Sequence, residues 1–220
     1  MKGTDGILFG DIHSYRDFHL ILSRAEISPA KPKTTYKDIP GGDGSLDLTN
    51  VHGEVKYYDR DAKFTFTMHP SGDLSDSAWE AKKTEISNAI NGMEFKITLD
   101  RDSAYFYEGR CVVDSYASDR RIRSIVISAK LKPYKLKQDE TVLTYDLSET
   151  AATKSIENAR KTVIPSIEVS DNCTIEFNGI SVPLESGTYK VLDVQFVKGI
   201  NVVKLSGSGS VVFRYREGDL

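Results

Sequence analysis

Apolar and polar residues alternate with a period of two through much of this chain. In Lys63-Phe64-Thr65-Phe66-Thr67-Met68 the large apolar groups fall on one face and the threonines on the other, as a half-buried strand requires. Ser124-Ile125-Val126-Ile127-Ser128-Ala129-Lys130-Leu131 places Ile125, Ile127, Ala129 and Leu131 on one face. Glu94 to Leu99 repeats the pattern before the polar turn Asp100-Arg101-Asp102 and a second strand at Tyr105-Phe106-Tyr107, which together read as a β-hairpin. Strands with one wet face predict antiparallel sheets. One helix interrupts them, from about Ser77 to Asn91. Ser77 with Glu80 three residues later is a capping-box pattern, and Gly92 sits where a left-handed stop belongs. Trp79, Ile86 and Ile90, with Met93 just beyond, share a helical stripe that Lys82 and Lys83 interrupt, so the helix is expected to lie on a sheet with part of its length solvated.

Near Lys132-Pro133-Tyr134-Lys135 the apolar pattern gives way to charge, which places a domain boundary after residue 134. Beyond it, strands are predicted at Thr174–Phe177, Thr188–Val191, Val202–Leu205 and Val211–Tyr215. Asn178-Gly179 signals a hairpin with a type I′ turn, and Ser206-Gly207-Ser208-Gly209-Ser210 reads as the loop of another. The expected architecture is mainly β: residues 1–134 form a β-sandwich-like domain with one α-helix and a β-hairpin, and residues 135–220 form a second, smaller β-sandwich.

The length of 220 residues, 39% hydrophobic and 28% charged, suits soluble globular domains with a real core. A formal net charge of -3 argues against a dedicated nucleic-acid binder. The first ten residues lack a signal-peptide h-region, and no run approaches the roughly 18 apolar residues that span a bilayer, so synthesis and retention in the cytoplasm of the producing cell are expected. Cys111 and Cys173 have no CxxC or Cys/His context and are expected as half-buried free thiols.

Catalytic signatures are absent. His13, His19, His52 and His69 have no compact ligand spacing, and neither a GxSxG elbow nor a cysteine nucleophile context occurs. Acidic residues such as Asp73, Asp76, Asp100 and Asp102 miss the EF-hand register and read as turn and cap residues. A carboxylate pair distant in sequence leaves glycoside hydrolysis open. The expectation is a non-enzyme without metal or cofactor. The basic stretches Arg120-Arg121-Ile122-Arg123 and Lys130, Lys132, Lys135 and Lys137 around Tyr134 read as a hairpin tip and a solvated linker.

The densest local signal is Ile39-Pro40-Gly41-Gly42-Asp43-Gly44-Ser45-Leu46-Asp47-Leu48-Thr49. Pro40 fixes its own φ and pushes Ile39 towards an extended conformation, while the glycines permit positive φ. It is not a P-loop, because no Gly-Lys-Ser/Thr and no helix follow. This loop resembles the glycine-rich loop near the N-terminus of the distal tail proteins of long-tailed phages infecting Gram-positive bacteria. The resemblance continues in order: Tyr57-Tyr58, the helix with Trp79, Gly92 to Leu99, Tyr105-Phe106-Tyr107-Glu108-Gly109-Arg110, Ser124 to Leu131 with Pro133-Tyr134, Ile164-Pro165-Ser166-Ile167-Glu168-Val169, Lys198 to Gly207, and Phe213 to Leu220. One departure is Asn158-Ala159-Arg160, where family members often carry a glycine; it leaves the local turn open.

The resemblance implies a virion structural protein of a phage or prophage tail. Its N-terminal domain would form a homohexameric ring around the DNA channel, and its C-terminal sandwich would be galectin-like. The ring would join the tail tube to tail-tip, tail-associated lysin or baseplate proteins. DNA would pass through without sequence-specific binding, and no membrane insertion is implied. Pro40, Gly41, Gly42, Asp43, Gly44, Leu46 and Leu48 are the candidate subunit-contact loop, and Arg120, Arg121 and Arg123 the candidate channel-facing cations. The competing expectation is a module binding host cell-wall carbohydrate, with Tyr189 and Tyr215 stacking on sugar rings.

Overall fold

The computed structural model describes residues 5–51, 53–68, 75–118 and 122–220, and the chain divides between Lys135 and Leu136 into two compact, mainly β units. The first unit is built on one antiparallel sheet. Its strands are β1 (Ile7–Phe9), β2 (Ile12–His13), β3 (Leu20–Ile27), β6 (Arg60–Met68), β7 (Glu94–Leu99), β8 (Tyr105–Ser118) and β9 (Arg123–Leu131), in the order β2-β1-β7-β8-β9-β6-β3. A separate hairpin, β4 (Tyr36–Asp38) and β5 (Ser45–Asp47), lies between β3 and β6 in the chain.

The sandwich-like packing of this unit comes from one sheet rolled over itself. The ring of Phe9 on β1 lies 6.3 Å from those of both Phe64 and Phe66 on β6. The Leu22 amide on β3 donates to the carbonyl of Asp5, just ahead of β1, at 3.1 Å. Gly109 permits the tight approach of β8 to β9, since a Cβ there would collide with the Lys130 carbonyl. The β8–β9 register shifts between Val113 and Ser115, and the Val113 amide is satisfied by Asn91 Oδ1 at 3.0 Å.

Two helices seal the roll. In α2 (Asp76–Ile90), Trp79, Ile86 and Ile90 are buried as the stripe predicts, and Gly92 has φ 80°. The cap is Ser75 rather than Ser77: Ser75 Oγ accepts from the Ala78 amide at 3.3 Å. Met93 is exposed and leaves the stripe, because the chain turns at Gly92 to enter β7. The second helix, α1 (Ser14–Phe18), has no periodicity to announce it and adds Phe18 to the core.

The second unit is a sandwich of two four-stranded sheets. β11 (Thr141–Asp146), β18 (Ser210–Tyr215), β13 (Ser166–Val169) and β16 (Gly187–Tyr189) form one; β12 (Ala152–Asn158), β17 (Gly199–Gly207), β14 (Cys173–Phe177) and β15 (Ile180–Leu184) form the other. A short pair, β10 (Lys135–Lys137) with β19 (Gly218–Asp219), belongs to neither of these sheets. Phe196, on a loop, ties the two sheets together: its ring sits 6.0 Å from Phe177 of one sheet, and 5.6 Å and 5.3 Å from Phe213 and Tyr215 of the other. The predicted turn is present, with Asn178 at φ 49° and Gly179 at φ 81°. Ser206 to Ser210 is not a hairpin loop. It carries the chain from one sheet to the other, with Gly209 at φ 77° and Gly207 packed where any Cβ would strike the Asn172 carbonyl. At Asn158 the side-chain amide makes the turn that a glycine would otherwise ease, donating to the carbonyls of Lys161 at 2.9 Å and Phe196 at 2.8 Å.

Both cysteines are free and fully buried rather than half-buried. Burial pushes the Cys111 thiol up to about 12 and raises that of Cys173 as well. Neither thiol should react with an aromatic disulfide reagent at neutral pH until denaturant is added, when both should react; rapid labelling of the native protein would contradict this packing. Glu217 carries the second prediction. Burial works to raise its carboxyl, but hydrogen bonds from Thr141 at 2.7 Å and Lys137 at 3.0 Å outweigh it and hold the group below its ordinary 4.5. A depressed carboxyl stabilises the fold above its unfolded value and loses that contribution as pH falls through the folded one. Glu217→Gln should therefore cost about 1 kcal/mol at neutral pH in chemical denaturation, with the difference vanishing in acid.

Candidate functional site

Residues 28–51 and 53–59 leave the sheet between β3 and β6 as an extended arm. Its base is a backbone ladder: Lys33 N–H donates to the Lys56 carbonyl at 2.7 Å and Tyr58 N–H to that of Lys31 at 2.9 Å, with Pro32 bridged to Tyr57. Further out, Leu48 N–H donates to the Thr35 carbonyl at 2.8 Å, and β4 pairs with β5. Asp47 and Thr49 pin the return strand. The Thr49 hydroxyl and its amide, 2.9 Å from Asp47 Oδ1, pull the Asp47 carboxyl below its ordinary value.

The tip follows from the sequence Ile39-Pro40-Gly41-Gly42. The Gly42 amide donates to the Ile39 carbonyl at 3.1 Å, with Pro40 second and Gly41 third at φ 73°, the requirements of a type II turn. Gly44 has φ 79°, whereas Gly42 is not left-handed, and its absent Cβ spares a 3.2 Å approach to Ile39 Cγ2. Pro40, Gly41, Gly42, Asp43, Gly44 and Leu46 are all exposed on this tip, and Leu48 is half-buried. Large apolar groups stand uncovered along the arm: Tyr36 is 60% exposed, Leu46 53%, Val51 63% and Tyr58 55%. In the β4–β5 register Tyr36 faces Asp47 and Leu46 faces Lys37, so the two apolar groups point from opposite faces. Apolar side chains thus stand exposed on both faces of an element that has no core of its own.

The basic stretches are occupied within their own units. Lys130 pairs with Asp61 at 2.9 Å, Lys132 with Glu108 at 2.8 Å, Lys135 with Asp102 at 3.0 Å and Lys137 with Glu217 at 3.0 Å. Arg120 and Arg121 lie outside the described residues. Arg123 is buried, its guanidinium 2.6 Å from Asp76 Oδ1 and bonded also to Ser118, so it ties the β9 start to the α2 start instead of facing outward. Sequence reasoning missed that role because the partner Asp76 is distant in the chain.

No catalytic constellation stands out among the described residues, and none of their His, Cys, Asp and Glu groups cluster as metal ligands. His52 and His69 fall outside the described residues. The His13–Asp100 pair, with Nε2 3.1 Å from Oδ2, resembles part of a charge-relay set. The other ring nitrogen, Nδ1, is 3.2 Å from both the Tyr15 and Arg16 amides and accepts from them as the α1 cap. A nitrogen so occupied is not open to take a proton from a substrate. A hollow of about 730 Å³ on the outer face of the first sheet is lined by charges of both signs, including Glu26, Asp61, Lys63 and Lys130. The tyrosines suggested for sugar stacking are turned inward: Tyr215 is buried with its hydroxyl donating to the Glu157 carbonyl at 2.7 Å, and Tyr189 packs against the core. A hollow of about 710 Å³ in the second unit, lined by Glu149, Asn172, Thr174 and Glu185 among others, has no aromatic ring in its described lining.

Comparison with known proteins yields a likeness of fold. The crystal structure of the SPP1 Dit (gp 19.1) protein, described as a paradigm of hub adsorption apparatus in phages infecting Gram-positive bacteria, superposes with a TM-score of 0.72 at 12% identity, over 98% of this chain and 99% of that one. No family model and no curated protein matches the chain. Among the described residues no helix is long and apolar enough to cross a membrane.

Since the arm contributes nothing to the apolar core, the double substitution Tyr36→Asp/Leu46→Asp should change the unfolding free energy of the monomer, compared at a dilution at which neither chain self-associates, by less than about 0.5 kcal/mol. Chemical denaturation followed by tryptophan fluorescence, reporting on buried Trp79, measures this. A loss of several kcal/mol would show that the arm is part of the fold's own packing.

Proposed function

We propose that this chain is a distal tail protein, a structural component of a phage tail tip and not an enzyme. In this reading the N-terminal unit closes a homohexameric ring around the DNA channel, and the ring joins the tail tube to tail-tip or baseplate proteins. The observation that carries it is the whole-length likeness to a phage hub protein, which spans both units in one chain. The uncovered arm adds support, because a ring needs heterologous contacts in which one patch meets a different patch on the next copy. An arm with apolar groups on both faces can serve as one such patch, through its side chains or by extending a neighbour's sheet.

The proposed subunit-contact loop remains Pro40, Gly41, Gly42, Asp43, Gly44, Leu46 and Leu48, extended by Tyr36. Channel-facing cations are proposed at Arg120 and Arg121 alone, since Arg123 is held by Asp76. DNA passage without sequence reading accords with the net charge of -3 and with the paired lysines. The glycan-binding alternative has less behind it, because its stacking platform, Tyr215, is part of the core.

Light scattering coupled to size exclusion tests the proposal. The wild-type chain should elute as a closed ring, whereas Tyr36→Asp/Leu46→Asp should elute as a monomer with an unchanged circular dichroism spectrum. Gly42→Val and Gly44→Val should weaken the ring in the same direction by distorting the tip. A ring that survives all these substitutions would remove the arm from the contact, and a wild-type monomer at every concentration would overturn self-assembly of the isolated chain.

A further inference from the structure

The segment Lys132-Pro133-Tyr134-Lys135 closes the N-terminal unit, and each of its residues is tied to a different place in that unit. The Lys132 amide donates to the Glu108 carbonyl at 2.8 Å, and its ammonium pairs with the Glu108 carboxylate. The Pro133 carbonyl accepts from the guanidinium of Arg60. The Tyr134 ring meets that of Tyr57 edge-on, with centroids 6.0 Å apart and planes at 77°. The Lys135 ammonium lies 4.1 Å over the Tyr105 ring, beside Asp102. A charged stretch that reads as a solvated linker is in fact a strap.

Two of these anchors belong to the base of the arm. Tyr57 is the residue bridged to Pro32 at the first rung of the arm, and Arg60 opens the strand into which the arm returns. Arg60 is buried, its Nε makes no hydrogen bond, and its nearby aromatic ring is Tyr107 at 5.5 Å. A buried cation with so few partners depends on the Pro133 carbonyl staying in place. The strap and the arm base therefore share one ring contact and one part-buried hydrogen bond, and both lie beside the ladder formed by the Lys33 and Tyr58 amides.

We propose that the arm base and the strap form one coupled element, in which order in either stabilises the other. If the arm is the contact surface proposed above, a neighbour that grips it also fixes the strap from which the C-terminal unit departs. Coupling of this kind is reciprocal by thermodynamic necessity, which makes it testable from both ends.

Hydrogen exchange resolved to single amides measures it in the full chain. The Tyr36→Asp/Leu46→Asp background makes the outcome independent of ring formation. Added to that background, Tyr134→Ala should accelerate exchange of the Lys33 and Tyr58 amides at the arm base. Tyr57→Ala should accelerate the Lys132 amide on the strap. Each change should be about three- to tenfold, the scale of one lost aromatic pair. Tyr134→Phe, which keeps the ring, and Ile39→Ala at the arm tip should leave both sets at the background rate, and β9 amides serve as the control for global unfolding. Acceleration confined to the side that carries the substitution overturns the proposal, as does equal acceleration of the β9 amides.

Discussion

Everything in the first unit depends on how far its sheet is rolled. Once Phe9 reaches Phe64 and Phe66, and the Leu22 amide finds the Asp5 carbonyl, the apolar face is turned inward and Trp79 and Phe18 pack onto it. Closure of this kind has a corollary at the surface. Residues 28–51 and 53–59 add nothing to that core, and Tyr36, Ile39, Leu46, Val51 and Tyr58 stay exposed. The closed core and the uncovered arm are two sides of the same arrangement.

Electrostatics in this molecule is local. The lysines from Lys130 to Lys137 look like a basic patch in one dimension, yet each has a carboxylate within 3.0 Å supplied by another strand or turn. Exposed pairs of this sort add little stability individually. Their effect is to leave no long-range positive field along that stretch, which matters for a protein proposed to let DNA slide past without holding it.

The strands whose residues face a core were legible, because burial on one side writes a period of two into the sequence; Phe64 and Phe66, Ile125 and Ile127, and Val211 and Phe213 are examples. The edge strands β11 and β12 were not, since Thr141-Val142-Leu143-Thr144 and Thr153-Lys154-Ser155 bury too little to leave a pattern. The five residues of α1 are held by a histidine cap that no propensity scale favours. Ser206 to Ser210 carried the composition of a hairpin loop, but glycine and serine serve a sheet-to-sheet corner equally well. For the candidate site, Pro40 and its glycines announced the tip. The length of the arm was hidden, because its rungs are backbone hydrogen bonds between polar residues such as Lys31, Lys33 and Lys56. Arg123 was misplaced for a related reason: a charge beside two other arginines looks exposed until its distant carboxylate is known.

The pairing within the second unit also sets an order of events during synthesis. Its earliest long strands, β11 and β12, lie against β18 and β17, the last long strands to be made. Those partners are separated by some of the longest sequence distances in the unit, so neither sheet can close on a partial chain, and contacts of this kind form slowly. The first unit, in contrast, has the seven strands of its main path in hand once β9 has emerged, and its strap follows directly. A nascent chain therefore carries the main sheet of the N-terminal unit while the C-terminal half is still an open set of strand edges.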